Sequence, residues 1–214
     1  MERAGSGPVG SMEPTTIFAD GLFEGRVTLV TGGGSGLGRE IARAFARLGA
    51  DVVVAGRIEE RLHAVRGEVE SMGRRCLALP TNIRDTDQVD ALHRATYEEF
   101  GRVDFLVNNA GGQFPSLPSK ITDNGWRAVV DLNLNGTWNM ISRFMTTMAE
   151  AGTGAIVNVV HIFSFDRGAP LFAHSGAARA GVVNLTKTLA PYLMHHGLTI
   201  NAFAPGIFTT PGMV

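Results

Sequence analysis

Ser175 and Arg179 stand four residues apart in the segment LFAHSGAARAGVVNLTK, Leu171 to Lys187. On a helix that spacing puts both side chains on one face, one turn apart. The pair joins a hydroxyl, which can donate to a developing oxyanion, with a guanidinium, which supplies a fixed positive charge. Arg179 cannot shuttle a proton, because its pKa lies far above neutrality. His174 adjoins the serine and points about 100° away around the helix. His174, and His161 and Ser164 after the preceding apolar run AIVNVV, are alternative proton donors, although each also reads as a polar group satisfied by its own surroundings.

A second constellation lies near the start. VTLVTGGGSGLGREIARAFARLGA, Val27 to Ala50, is an apolar run followed by Gly32, Gly36 and Gly38 and then by a helix-period segment. A tight turn needs a permissive backbone, and close approach of a pyrophosphate leaves no room for a Cβ. The following helix offers its N-terminal amides and the positive end of its dipole. Strand, glycines and helix in that order predict a dinucleotide cradle made by Thr31, Gly32, Gly34, Ser35, Gly36, Leu37 and Gly38.

The end of the next apolar run selects the dinucleotide. An NAD site needs a carboxylate there, about 20 residues past the glycines, to accept from the ribose 2′-OH. VVVAGRIEE instead supplies Gly56 and Arg57, with the acids delayed to Glu59 and Glu60. A guanidinium at a carboxylate-free turn suits a 2′-phosphate, so NADP, acting as NADPH, is the expected cofactor.

These residues need a scaffold, and the chain alternates short apolar runs with helix-period segments. The runs are VTLV, DVVVAG, RCLALP, VDFLVNNA, AIVNVV and LTINAFAP. Their nearly continuous apolar character predicts a parallel α/β sheet covered by helices on both faces. Trp126 to Met148 is expected to be one long helix, with Val129, Leu134, Thr137, Ile141, Phe144 and Met148 at helical spacing. Residues 1–19 read as a flexible tail, and 20–214 as a single NADP-binding domain.

Composition narrows the partners. Lys and Arg number 19 against 20 Asp and Glu, a net charge of -1, so no nucleic-acid partner is expected. Cys76 is the sole cysteine, which excludes an internal disulfide and suits a reducing compartment. No stretch approaches the roughly 18 apolar residues of a membrane span. No spaced cluster of His, Cys and carboxylates predicts a metal site.

Taken together, TGGGSGLG (Thr31 to Gly38), NNAG (Asn108 to Gly111), DLNLNG with Asn133, and Pro205 and Gly206 after the sixth run resemble the short-chain dehydrogenase/reductase family across Phe23 to Thr210. The resemblance implies a doubly wound Rossmann-type parallel sheet in the order 3-2-1-4-5-6. It places Asn82, Ile83, Asn109, Ala110, Gly111, Pro205, Gly206 and Ile207 against the cofactor, and Asn133 in a proton relay through water. It also implies a homo-oligomer, dimer or tetramer, built on the helices Trp126 to Met148 and Ser175 to Leu193. Relatives in the family run further, so a seventh strand and a substrate lid are expected to be missing after APGIFTTPGMV.

The family carries an active-site Tyr and Lys, and in register with AGVVNLTK those positions hold Ser175 and Arg179. The alternative register, with His174 and Ala178, requires an insertion inside a helix. A branch that reduces the carbon–carbon double bond of enoyl- or dienoyl-coenzyme A thioesters carries Ser at the Tyr position. HSGAARAGV and NNAGGQFPS resemble the peroxisomal trans-2-enoyl-coenzyme A reductases of that branch. The expected activity is therefore hydride transfer from NADPH to a 2-enoyl thioester, with Ser175, Arg179, Asn133, Ser164 and His174 as catalytic candidates. A carbonyl or 3-oxoacyl reductase and an inactive nucleotide-binding assembly partner are the alternatives. The resemblance implies a cytoplasmic or peroxisomal setting in fatty acid metabolism.

Overall fold

The computed structural model describes residues 17–206; most of the expected tail, and Ile207, lie outside them. Six strands form one parallel sheet in the order β3-β2-β1-β4-β5-β6. They are β1 Val27–Thr31, β2 Asp51–Gly56, β3 Cys76–Pro80, β4 Phe105–Asn108, β5 Gly154–Val159 and β6 Leu198–Phe203. The helices are α1 Gly36–Arg47, α2 Glu59–Ser71, α3 Thr86–Phe100, α4 Asp123–Val130, α5 Gly136–Glu150 and α6 Ala173–His195. The expected doubly wound topology is the observed one.

The pleat sorts the strand side chains into two cores. Val27 and Leu29 of β1 and Val53 and Ala55 of β2 pack with Leu92 of α3, Phe144 and Met148 of α5 and Leu193 of α6. Val30, Val52 and Val54 point the other way, onto Ala42 and Ala46 of α1 and Leu62, Val65 and Val69 of α2. Alternate residues thus find helices on both faces, which is why the strands read as unbroken apolar runs. Local chemistry sets the helix ends. Asp85 caps α3 by accepting from the amides of Asp87 and Gln88, and Gly101 ends it at φ 70°.

The helix expected over Trp126 to Met148 is present without a break, but α4 passes into α5 through a π turn, Asp131–Asn135. It also begins earlier, at Asp123, where Thr122 accepts from the amide of Gly125. The π turn carries Asn133, and periodicity alone cannot register the one extra residue that it inserts. The chain reverses direction across the sheet between β1 and β4. Ligands of such folds bind in the crevice at the carboxyl ends of the strands, at this switch point.

Candidate active site

A cleft of about 330 Å³ opens at that edge. Its lining includes Gly32, Gly34, Ser35, Gly36, Leu37, Gly38, Arg57, Asn82, Ile83, Asn109, Ala110 and Gly111, so the sequence-predicted cofactor residues of the first four β–α connections come together. Sequence reasoning missed Ile58, Arg61, Thr81 and Leu132, which also line it. Arg61 carried a signal: it follows Arg57 by four residues at the start of α2. Thr31 lies beneath the cleft. Its Oγ1 accepts from the amides of Asn109 and Ala110, both at 3.0 Å, and so ties the glycine loop to the end of β4.

The glycine loop fits a dinucleotide for a steric reason. Gly32 and Gly36 have φ of 66° and 51°, conformations that side chains rarely adopt. A Cβ on Gly38 would collide with the Gly32 carbonyl and the Asn109 amide. Bare backbone and the start of α1 therefore face the cleft, as an anionic pyrophosphate requires.

The second group of candidates gathers where β4, β5 and α6 meet. Asn108 and Asn158 are register partners, and their amides bond at 2.9 Å. Asn158 Nδ2 donates in turn to Thr186 Oγ1 of α6 at 3.0 Å. This buried chain of bonds clamps the two strands to the helix. Above it, the Arg179 guanidinium donates to the Val159 carbonyl and lies over Gly111, where any Cβ would occupy its place. Burial pushes the Arg179 pKa down to about 10.

Asn133 borders the same spot. Its Nδ2 donates to the carbonyls of Gly112, at 2.7 Å, and Val129, at 2.8 Å, while Oδ1 accepts from the Gly112 amide at 3.3 Å. Both donor hydrogens are committed, so Asn133 pins the loop after β4 and retains only an acceptor lone pair toward any water. Ser175 does lie one turn before Arg179 and is buried. Its hydroxyl donates to the Phe172 carbonyl at 3.4 Å, the outer limit of a hydrogen bond.

The other candidate donors differ in setting. His174 is fully enclosed, edge-on to Phe114, and its Nδ1 accepts from the Ser175 amide. Ser164 is buried with no partner for its hydroxyl among the described residues. His161 follows β5. Burial, and then the charge of Arg179, lower its pKa, which favours a neutral imidazole. Pro205 and Gly206 follow β6 and do not line the cleft. Among the described residues no cluster of three His, Cys or carboxylates can hold a metal, and no helix is long and apolar enough to cross a membrane.

Comparison with known proteins agrees with this geometry. The short chain dehydrogenase family matches residues 26–214. A Caenorhabditis elegans protein named as a probable 2,4-dienoyl-CoA reductase is 35% identical over 92% of this chain, which spans 64% of that relative's length. A 3-oxoacyl-[acyl-carrier-protein] reductase of Synechocystis is 37% identical over 86% of this chain and 75% of its own length. Among solved structures, a citronellol catabolism dehydrogenase of Pseudomonas aeruginosa superposes with a TM-score of 0.83 at 39% identity, covering 89% of this chain and 77% of that one. The relatives divide between dienoyl-CoA and 3-oxoacyl reductases, so they do not single out the enoyl branch expected from HSGAARAGV. Sheet order, glycine cradle and sequence similarity over nearly the whole chain together establish that this protein belongs to the short-chain dehydrogenase family.

Proposed function

We propose that residues 20–214 form an NADPH-binding domain of a reductase that saturates the double bond of a 2-enoyl thioester. One observation carries this reading: a buried cation and a buried serine lie one turn apart on α6, the cation against the end of β5, and neither tyrosine of the chain is beside them. Tyr97 packs against His93 and Phe144 between α3 and α5, where burial pushes its pKa up to about 12. Tyr192 packs at a tilt against His196 at the far end of α6. Ketone reduction places charge on an oxygen that must be protonated at once, and a serine hydroxyl is a poor acid for that task.

When bound, NADPH supplies a hydride. Reduction of an enoyl thioester delivers that hydride to Cβ and a proton to Cα, while charge passes through the thioester oxygen. The chain needs only to hold that oxygen, and water can protonate Cα. Arg179 contributes a fixed positive field in a dry setting. The weak Ser175–Phe172 bond costs little to exchange for one to substrate. Asn133 keeps the loop after β4 in position. Arg57 at the carboxylate-free end of β2 supports NADPH over NADH. A homo-oligomer through α4 to α6 is part of the same reading, and Trp126 and Trp138 are exposed there.

The test supplies the intact protein with NADPH or NADH and a panel of trans-2-enoyl thioesters, 3-oxoacyl thioesters and ketones. Enoyl turnover preferring NADPH is the expected result. Turnover of 3-oxoacyl thioesters alone would favour the alternative suggested by the Synechocystis relative, and tight NADPH binding without turnover would mark an inactive assembly partner. Arg57→Ala is expected to weaken NADPH more than NADH. Ser175→Ala is expected to lower turnover about 10- to 1,000-fold, as for one lost oxyanion donor, with NADPH affinity unchanged. If the variant loses thermal stability but keeps its rate per folded molecule, Ser175 only serves the first turn of α6.

A further inference from the structure

The cleft is electrically one-sided. Its lining contains two cations, Arg57 and Arg61, and no carboxylate. Neither arginine has an acidic partner among the described residues, although acids are close in sequence at Glu59 and Glu60. Nearby arginines differ: Arg39 and Arg43 of α1 reach Glu68, and Arg66 of α2 takes Glu70. The two free guanidiniums also share a corner. A Cβ placed on Gly34 would lie 3.2 Å from the Arg61 Cβ, so the Arg61 stem runs beside the glycine loop, while Arg57 leaves the end of β2 next to it.

Ser35 completes the corner. It holds the N-cap of α1 with extended dihedrals, φ -161° and ψ 166°, yet its side chain makes no capping bond. A capping serine ordinarily spends its oxygen on an amide of the first turn. Here the hydroxyl is exposed and available to a ligand.

From this arrangement we infer that Arg61 is a second determinant of cofactor choice, clamping the 2′-phosphate of NADPH together with Arg57 and the Ser35 hydroxyl. The inference rests on the NADPH reading above and deepens it. A phosphate monoester carries close to two negative charges at neutral pH and three acceptor oxygens. One guanidinium leaves about half of that charge unbalanced, whereas two flanking forks and a hydroxyl can serve all three oxygens. NADH presents only a neutral hydroxyl there and gains nothing from the second cation.

Fluorescence titration of NADPH and NADH into the intact protein and its Arg61→Ala, Arg61→Lys, Arg57→Ala and double-alanine variants tests this. Adenosine 2′-monophosphate and 5′-monophosphate serve as displacing probes. Arg61→Ala is expected to weaken NADPH and the 2′-monophosphate at least about tenfold, the worth of one charge-assisted contact, and to change NADH by less than about threefold. Lysine should retain part of the difference, because it keeps the charge and loses the fork. The double variant should lose less than the product of the single effects, since both groups hold one phosphate. Both side chains are exposed, and melting temperatures of the variants check that folding is intact. If Arg57→Ala is selective and Arg61→Ala is not, the role of Arg61 is overturned and the NADPH reading stands. If the unaltered protein binds NADH as tightly as NADPH, that reading fails and takes the clamp with it.

Discussion

Arg179→Met is expected to abolish most turnover while leaving the protein as stable as before, or more so. Two opposing effects meet at this residue. The guanidinium is buried and has lost its hydration, as the fall of its pKa to about 10 records, so a methionine of similar length removes a costly charge. Against that, the Val159 carbonyl loses its donor, at a cost of about 1–3 kcal/mol. These terms are comparable and partly cancel in stability. Nothing cancels the lost field in catalysis, where removing one positioned donor typically lowers turnover about 100- to 1,000-fold. A variant with an unchanged melting temperature and an unchanged rate would remove Arg179 from the site.

The same residue predicts opposite responses to alkali. Its folded pKa, about 10, lies below the ordinary value of 12.5. Between those values the unfolded chain keeps a proton that the folded protein has released. The cost of burying this charge is therefore full below that window and is relieved as pH rises through it, so stability rises with pH there. Turnover should do the reverse, falling as Arg179 discharges near pH 10. An alkaline limb in the rate profile that disappears from the residual rate of Arg179→Met would confirm the assignment, and an identical limb in both proteins would refute it.

Gly38→Ala should be strongly damaging to the glycine loop. The new carbon meets the Gly32 carbonyl and the Asn109 amide, and the first of these is backbone that cannot swing aside. Asn109 Nδ2 donates to the Thr31 carbonyl at 3.0 Å, so displacing it also loosens the glycine loop from β4. Forced overpacking of this kind costs about 1–3 kcal/mol. NADPH affinity should fall further, about 100-fold, because the cradle itself moves. Two other glycines serve as controls. At Gly34 the added carbon faces the Arg61 and Leu62 side chains at 3.2 and 3.3 Å, so a smaller loss is expected. At Gly67, inside α2, nothing lies within 4 Å, and alanine should stabilise the helix by about 0.5–1 kcal/mol. Melting temperatures and NADPH titrations of the three variants check the series.

Much of this was legible locally. The glycine cradle could be read because its meaning depends on adjacent residues: a strand, three glycines and a helix in contiguous sequence. Ser175 and Arg179 could be placed on one face because a helical turn returns every four residues or so. The helix over Trp126 to Met148 is legible from its periodicity, whereas its π turn is not, because it adds one residue without leaving a compositional trace. Asn133 was expected to hold a water, but its donors face the backbone of Gly112 and Val129. The first of those contacts is 21 residues away and belongs to another element.

The amino-acid sequence by itself determined the family, the parallel α/β sheet, the position of the glycine loop between its first strand and helix, and the absence of a tyrosine four residues before Arg179. Only the tertiary structure decided how those residues are electrically disposed. Arg179 is a buried cation because β4, β5 and α6 close around it, and its depressed pKa follows from water excluded by residues distant in the chain. Arg61 becomes part of the cleft because α2 packs beside the Gly34 loop, which no spacing along the chain expresses. Backbone conformation follows from neighbours in sequence, whereas solvation and pairing of charge depend on what the folded chain brings within a few ångströms.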